Sequence, residues 1–256
     1  MLFRSNVGTT LVYPTFNAAS NDGFMAPNLS FASSPRQYRI TPVNAGFENP
    51  TLGDGNFIYT TPSAPTLPGG WTNNAASSYR NAGILNPSTS MYASGNAPEG
   101  NNVLWAYSDS TGSTEDSIVA QIINLTLEAN MIYTLTVNVG DRLDTPNNGY
   151  AVRLGYGSSL GSFTLLAQDN NSLALPNGGW VTSTVVYTNL TAIAQPLQIQ
   201  LVGLKGPGSG NQVNFDNVQL LVTMIPEPST IFLFVSGLAT LYWAWRRRHS
   251  RGATGE

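Results

Sequence analysis

Met131-Ile-Tyr-Thr-Leu-Thr-Val-Asn-Val139 is the stretch that decides the fold of this chain. Its apolar and polar side chains alternate strictly, with Tyr133, Leu135, Val137 and Val139 on one face and Thr134, Thr136 and Asn138 on the other. Side chains of a β-strand point alternately to opposite faces of its sheet, so this period of two predicts a half-buried strand.

The same alternation recurs on both sides of this segment, at spacings of ten to twenty residues. Further strands are predicted over residues 101–107, 117–127, 150–156, 161–168, 180–188, 197–202 and 213–222. The strands are separated by Gly-rich or Pro-rich turns such as Pro176-Asn-Gly-Gly179, and no amphipathic helix is predicted between them. About eight such strands predict an all-β antiparallel jelly-roll sandwich.

The C-terminus has a different character and falls into three parts. Pro226-Glu227-Pro228 holds the chain extended, because each proline fixes φ and restricts the residue before it. Residues 229–245 carry no charge and predict a single transmembrane helix of ~25 Å, at the short end of what crosses a bilayer. Four arginines follow at once, Arg246, Arg247, Arg248 and Arg251, and predict a stop on the cytoplasmic side with the body of the protein outside.

These three parts in this order resemble the PEP-CTERM sorting signal of bacterial surface proteins. The resemblance covers about residues 225–251. It implies export through the inner membrane, transient anchoring by the tail, and processing near Pro226-Glu227-Pro228 by an exosortase. It also implies a mature form at the cell surface or in the extracellular matrix, in association with exopolysaccharide and biofilm.

Composition narrows the function classes. Charged residues make up only 10% of 256 residues, against ~25% in an average globular protein, and the formal net charge is −3. A mildly acidic chain is a poor partner for nucleic acid, which requires a basic patch. Because there is no cysteine, disulfides, thiolate metal sites and thiol catalysis are excluded.

Three regions follow from this reading: an irregular segment over residues 1–39, the sandwich over 40–223 and the sorting signal over 224–256. The first segment is rich in Asn, Ser, Ala and Pro and shows no sustained period. Residues 1–13 are too polar and too short for a signal peptide, which departs from the sorting family's pattern and points to a start that is not the natural one.

The sandwich itself resembles the galactose-binding-like jelly roll found in carbohydrate-binding modules. Gly46-Phe47-Glu48 resembles the opening of the first strand of such modules, Gly70-Trp71 follows some twenty residues on, and Phe215-Asp216-Asn217-Val218 resembles their last strand. The resemblance implies a structural Ca²⁺ held by Glu48 and Asp216 with backbone carbonyls; the alternative is that both make ordinary hydrogen bonds. Calcium takes oxygen ligands and needs neither Cys nor His. Trp71 is either a sugar platform or, as we expect, a core ring.

Two clusters of aromatic and polar residues are the candidates for ligand binding. Trp105, Tyr107 and Asp109 form one, and Arg153 and Tyr156 form the other. Sugars stack on such rings, but a sandwich core also needs aromatic residues, so we expect each cluster to belong to the core, with sugar binding as the alternative.

Enzymatic chemistry is not expected. The single histidine, His249, lies in the cationic tail, so no Ser/His/Asp set is available in the body. Glu115 with Asp116 and Asp141 with Asp144 are paired carboxylates, of which a glycan hydrolase would need two placed across a cleft. A turn such as that from Asp141 to Asp144 is expected to be solvated.

The sequence thus predicts a non-catalytic, exported β-sandwich of the cell surface or matrix, with the processing enzyme, the inner membrane and extracellular polysaccharide as partners. The alternative is a true carbohydrate-binding module for one glycan, and a glycan hydrolase is a distant third. An aromatic cleft on one sheet separates a binding module from a scaffold.

Overall fold

The computed structural model describes residues 36–74, 77, 79–93, 97–109, 115–206 and 211–225, together with residues 237, 238, 240, 242 and 243. In these ranges thirteen strands form two antiparallel sheets, which confirms the all-β sandwich. One 3-10 turn, Leu160–Ser162, interrupts the strands. Both sheets contribute buried side chains to the main hydrophobic core, and a smaller buried cluster is formed by Leu85, Val103 and Trp105.

One sheet has seven strands. They are β1 (Gln37–Ile40), β2 (Phe57–Tyr59), β5 (Arg80–Leu85), β6 (Val103–Ser108), β8 (Met131–Gly140), β11 (Trp180–Asn189) and β13 (Asn211–Met224). The order is β11-β8-β13-β6-β5-β2, and β1 also pairs with β13. β6 pairs with the first part of β13, as far as Phe215, and β1 pairs with its last part, Leu220 to Thr223.

The other sheet has six strands. They are β3 (Thr66–Leu67), β4 (Trp71–Asn73), β7 (Ser117–Leu127), β9 (Tyr150–Tyr156), β10 (Thr164–Asn170) and β12 (Ile193–Gly203). The order is β10-β9-β12-β7-β4-β3. The eight segments predicted from alternation correspond to β6 to β13, and the five strands missed are the short ones at the beginning of the chain, where Gly, Pro and Thr conceal any period.

The deciding segment behaves as its pattern predicted. β8 lies between β11 and β13, and the four residues of its apolar face are all buried in the core, namely Tyr133, Leu135, Val137 and Val139. Each Å² of apolar surface that these side chains remove from water stabilises the fold by ~25 cal/mol. The buried face of β8 therefore holds the seven-stranded sheet against the core.

The beginning of the chain differs from the prediction in two places. Residues 37–39, expected to be irregular, belong to β1, because they can pair with the exposed edge of β13. Gly46-Phe47-Glu48, expected to begin the first strand, is instead a turn in which the Phe47 N–H donates to the carbonyl of Asn44. Asn44 and Phe47 both have positive φ there, which lies outside the β region and does not suit regular strand pairing.

Trp71 is a core ring, as expected. Its side chain is fully buried, the indole N–H donates to the carbonyl of Val43 at 3.0 Å, and the ring packs on Phe47 at 5.4 Å between centroids. It is therefore unavailable as a sugar platform.

The last strand runs directly into the sorting signal. The Met224 N–H donates to the carbonyl of Arg36, and the Ile225 N–H donates to that of Asn130, so hydrogen bonding reaches the residue before Pro226. The predicted helix over 229–245 lies largely outside the described residues, and its described positions 237, 238, 240, 242 and 243 have helical backbone. Among the described residues, we find no helix with the length and apolar character that a membrane crossing requires.

A buried carboxylate ties the two sheets together at one edge. Asp169 of β10 accepts hydrogen bonds from Tyr150 Oη (2.8 Å), from Ser183 Oγ of β11 (2.6 Å) and from the Ser172 N–H (3.0 Å). Burial alone would raise the pKa of Asp169, but the hydrogen bonds from Ser183, Ser172 and Tyr150 outweigh it and lower that pKa below 3.8. Burial and the Asp169 carboxylate raise the pKa of Tyr150 to about 12.

We expect the replacement of Asp169 by Asn to lower the free energy of unfolding by about 1.5–3 kcal/mol near neutral pH, since hydrogen bonds to a charged acceptor are lost. Because folding lowers the pKa of Asp169, its contribution is present above the unfolded value of 3.8 and is lost as the pH falls through the folded one. Thermal melts of both proteins from neutral pH to pH ~3 check this. The Asp54→Asn variant, at an exposed loop position, is the control; an equal loss in both variants would contradict the role of Asp169.

Candidate functional site

A cleft lies on the outer face of the seven-stranded sheet, the face turned away from the core. Val103, Trp105 and Tyr107 of β6 point to this face while Leu104 and Ala106 point into the core, as the sequence predicted. The cleft has a volume of about 360 Å³ and is lined by Gly55, Phe57, Asn81, Leu85, Met91, Trp105, Tyr107, Arg142 and Gln212. Phe57 is the most open of its rings, with 57% of its surface exposed.

A glycine makes room for the central ring. Gly83 of β5 is the cross-strand partner of Trp105, and the indole lies directly over it. A Cβ at position 83 would stand 2.5 Å from the indole and 2.1 Å from the carbonyl oxygen of Ile58. The sequence therefore needs Gly at this strand position, where it otherwise weakens a sheet, so that the Trp105 ring can form the floor of the cleft.

We expect Gly83→Ala to displace either the Trp105 ring or β2 and to lower the free energy of unfolding by about 1–3 kcal/mol, as overpacking does. The measurement is chemical denaturation together with the fluorescence spectrum of the folded state. Gly161→Ala, where an added Cβ meets nothing within 4 Å, is the matched control and leaves both unchanged. Equal stability of the two variants would show that the Trp105 ring does not require a glycine at position 83.

Loops form the far wall of the cleft. The Leu143 N–H donates to the carbonyl of Met91 and the Ala93 N–H to that of Gly178, so the segment around Met91 is held against two neighbouring connections. The buried ring of Tyr92 stacks on Trp180 at 4.8 Å between centroids. Burial raises the pKa of Tyr92 well above its usual 10, so its hydroxyl stays protonated.

Arg142 lies at the edge of the cleft, where Asp144 and Gln212 fix its guanidinium. Arg142 donates to both carboxylate oxygens of Asp144, at 2.8 and 2.7 Å, and its Nη1 donates to Gln212 Oε1 at 3.3 Å. The guanidinium lowers the pKa of Asp144. A cation held in this way is ready to donate to a hydroxyl or carboxylate without reorganising.

Polar atoms of the cleft and its wall are left without partners. Within the part of the chain that the structure describes, Asn81 Oδ1 and Gln212 Nε2 are buried and make no hydrogen bond. The same holds for Tyr92 Oη, Trp180 Nε1 and both amide atoms of Asn214. Unsatisfied buried groups are expensive, about 1–3 kcal/mol each, and their concentration here indicates that a polar ligand or ordered water belongs on this face.

The predicted ligand residues divide between two faces. Trp105 and Tyr107 both line the cleft, and the Tyr107 hydroxyl donates to Asp109 Oδ2 at 3.1 Å, so this cluster is brought together. Arg153 and Tyr156 are not brought together. They stand three positions apart on β9, so Arg153 points to the outer face of the six-stranded sheet and Tyr156 packs on the core.

Sequence reasoning missed the residues that complete the cleft: Phe57, Asn81, Met91, Arg142 and Gln212. They lie on separate strands and connections, and only the pairing of β2, β5, β6 and β13 brings them together. The alternation of Gln212, Asn214 and Asp216 along β13 was an available signal, because three polar residues at every second position mark a polar face.

The two predicted calcium ligands meet at a second place, a carboxylate cluster of Glu48, Glu99 and Asp216. Glu48 Oε1 accepts from the N–H groups of Asn101 and Asn102, and Asp216 Oδ2 accepts from the Glu99 N–H at 2.7 Å. One segment, residues 99–102, therefore touches both carboxylates. Asp216 belongs to β13, whereas Glu48 lies in the connection before β2.

The charges of this cluster suit a cation. Asp216 is fully buried; burial raises its pKa to about 8, and the carboxylates of Glu99 and Glu48 add to the rise. No group of three or more Asp, Glu, His or Cys within the described ranges has by itself the geometry to hold a metal, so backbone carbonyls would have to complete a calcium shell. The Asn102 Oδ1 atom, buried without a partner, adds an unused oxygen nearby. The calcium site at Glu48 and Asp216 therefore stays a prediction.

If Glu48 and Asp216 hold calcium, we expect a chelator to lower the melting temperature and added Ca²⁺ to restore it, because an ion bound only by the folded state stabilises it by mass action. The Asp216→Asn variant should melt at the same temperature with and without chelator. Identical melting curves of the unchanged protein in both conditions would remove the calcium hypothesis.

Comparison with known proteins places the whole sandwich in one family. The profile of the HpiC1-like family, described as HpiC1 cyclase, matches residues 38–221. The chain belongs to the HpiC1 cyclase-like family. A second profile, the PEP-CTERM protein-sorting motif, matches residues 225–248 and confirms the resemblance read from the tail.

Solved structures agree with the family assignment. An apo form cyclase from Fischerella sp. is 26% identical, with a TM-score of 0.61 over 75% of this chain and 98% of that one. A Stig cyclase from Fischerella sp. TAU, solved in complex with (3Z)-3-(1-methyl-2-pyrrolidinylidene)-3H-indole, gives the same identity and TM-score over 75% and 100%. A cyclase from Fischerella sp. TAU in complex with 4-(1H-indol-3-yl)butan-2-one is 27% identical, with a TM-score of 0.57 over 74% and 100%. No curated protein matches the chain.

Proposed function

We propose that this HpiC1 cyclase-like chain is an exported cell-surface protein that binds a sugar residue of extracellular polysaccharide in the cleft of Trp105, without chemical turnover. The sorting motif supports export, an anchoring tail and handling by an exosortase at Pro226-Glu227-Pro228, with the body outside the inner membrane. The transmembrane helix over 229–245 and the association with exopolysaccharide and biofilm belong to the same proposal.

The composition of the cleft carries the binding part of the proposal. The ring of Phe57 offers an exposed face for the C–H surface of a sugar, while Trp105, only 9% exposed, forms the floor of the cleft. Arg142, Gln212 and Asn81 offer a guanidinium and two amides for the hydroxyls of the sugar. The unpartnered Asn81 Oδ1 can accept a hydrogen bond from a sugar hydroxyl, and the unpartnered Gln212 Nε2 can donate one to a sugar oxygen. An aromatic cleft of this kind favours the binding module over the inert scaffold that the sequence also allowed.

The same lining supports binding over acid–base catalysis. Among the described residues that line the cleft, no Asp, Glu, His, Cys or Lys occurs. Two of the four carboxylates considered for a glycan hydrolase form ion pairs, Asp144 with Arg142 and Glu115 with Arg80. General acid–base work needs a group positioned to hand over a proton, and two opposed carboxylates for a glycosidase.

A cyclase acting on an indole-containing substrate is the second candidate, and the family match favours it. Solved members are named as cyclases and were obtained with indole compounds. In this chain the Tyr107–Asp109 pair is the nearest source of a proton to the cleft. Incubation with an indole substrate, followed by mass spectrometry, separates the candidates: product formation that Asp109→Asn abolishes would replace binding by catalysis.

We expect Phe57→Ala to weaken glycan binding by roughly three- to tenfold, since one stacking ring is worth about 0.5–1.5 kcal/mol. The measurement is a glycan array, followed by titration calorimetry of the best ligand. Tyr79→Ala is the matched control, because Tyr79 is a comparably exposed aromatic residue, 44% against 57%, that does not line the cleft. Absence of binding across the array, or equal losses in both variants, would contradict a glycan site in this cleft.

A further inference from the structure

At one end of the sandwich, the last strand leads directly into the sorting signal. β8 begins here at Met131, which pairs with Met224 of β13 and with Asn189 of β11. The turn at residues 128–130 and the turn at residues 190–192 lie side by side, joined by the hydrogen bond from Asn189 Nδ2 to the carbonyl of Glu128. We call these two turns, with Leu125, the exit rim.

The segment that connects the exit rim to the sorting signal is short. Ile225 is bonded to Asn130 of the rim at 2.8 Å, and only Pro226-Glu227-Pro228 separates it from the apolar segment that begins at Ser229. Fully extended, four residue steps span at most ~14 Å. The headgroup layer on one side of a bilayer is itself roughly 5–8 Å thick. While the tail is in the membrane, the tether therefore keeps Ile225 no more than about 6–9 Å beyond the headgroups, within reach of contact by the rim.

The side chains of the rim suit such a position. Leu190 is 68% exposed at the tip of its turn, the most exposed of the large apolar residues of the described chain, and Leu125 is 48% exposed on the adjoining strand. Tyr38 of β1 lies at the same end, with its hydroxyl donating to Glu128 at 3.3 Å. Tyrosine is favoured at a membrane interface because its ring is apolar and its hydroxyl is polar, and an exposed leucine gains by burying its apolar surface there. Glu128 is the one charge of the rim, and it opposes contact with anionic lipid.

We propose that the exit rim is a lipid-contacting surface, which seats the folded sandwich on the outer leaflet of the inner membrane, with Leu190 among the headgroups, until the tail is removed. The inference rests on the anchoring part of the proposed function. It gives the precursor a fixed orientation, because two turns and a three-residue tether restrict rotation where a longer linker would not. The cleft of Trp105 is close to the opposite end of β8, whose ten residues span roughly 30 Å, so the cleft lies far from the lipid.

The absence of cysteine makes a direct test possible, because a single introduced thiol can be labelled. The full chain with Leu190→Cys, carrying an environment-sensitive fluorophore, is reconstituted in vesicles of phosphatidylethanolamine, phosphatidylglycerol and a headgroup-nitroxide phosphatidylcholine. The label should lose most of its intensity relative to vesicles without nitroxide. Leu143→Cys is the matched control, since Leu143 is 47% exposed in the connection that follows β8 at its far end, and its label should keep its intensity.

A second pair of variants separates lipid contact from mere proximity. With the label at Thr191→Cys, the additional change Leu190→Asp should restore most of the lost intensity, while circular dichroism stays unchanged because Leu190 is exposed. Flotation of the vesicles is measured in every sample. Flotation with an unquenched label at position 190 would overturn the rim contact and leave the anchor intact; failure to float would remove the anchor, and the rim contact with it.

Discussion

The hydrogen-bond ladder of β13 is the constraint on which the other features depend. This strand pairs with β8 along one side and, on the other, first with β6 and then with β1. The change of partner coincides with a break in register between Asp216 and Gln219, where Asn217 adopts a positive φ of 51°. A strand cannot keep one register past such a residue, so the connections around Glu48 and Glu99 fill the gap between β6 and β1.

Three functional elements follow one another along this strand. Gln212 contributes to the cleft, Asp216 to the carboxylate cluster, and Ile225 ends the ladder at the sorting signal. The alternation of the strand puts Gln212, Asn214 and Asp216 on the outer face and Val213, Phe215 and Val218 in the core. One ladder thus links the stability of the sandwich to the geometry of both candidate sites, and processing after Ile225 would leave every strand in place.

Family membership and cleft composition point in different directions for catalysis. The match to HpiC1 cyclase covers the whole sandwich, yet the described residues that line the cleft offer amides, rings and a guanidinium in place of an acid. Folds host several chemistries, and the chemistry resides in the site.

The sequence by itself determined the fold class, the eight later strands and the sorting signal. Each of these depends on residues that are close together in the chain, either through a period of two or through a motif of adjacent residues. It also named Trp105, Tyr107 and Asp109, which share a face by that same period, and Glu48 and Asp216 by resemblance. The same period puts Arg153 and Tyr156 on opposite faces of β9, although they were considered as one cluster. Only the tertiary structure decided that Gly46-Phe47-Glu48 is a turn and that Phe57, Arg142 and Gln212 meet at Trp105. The physical reason is that strand pairing joins residues far apart in the chain, and no local pattern records which strand becomes which neighbour.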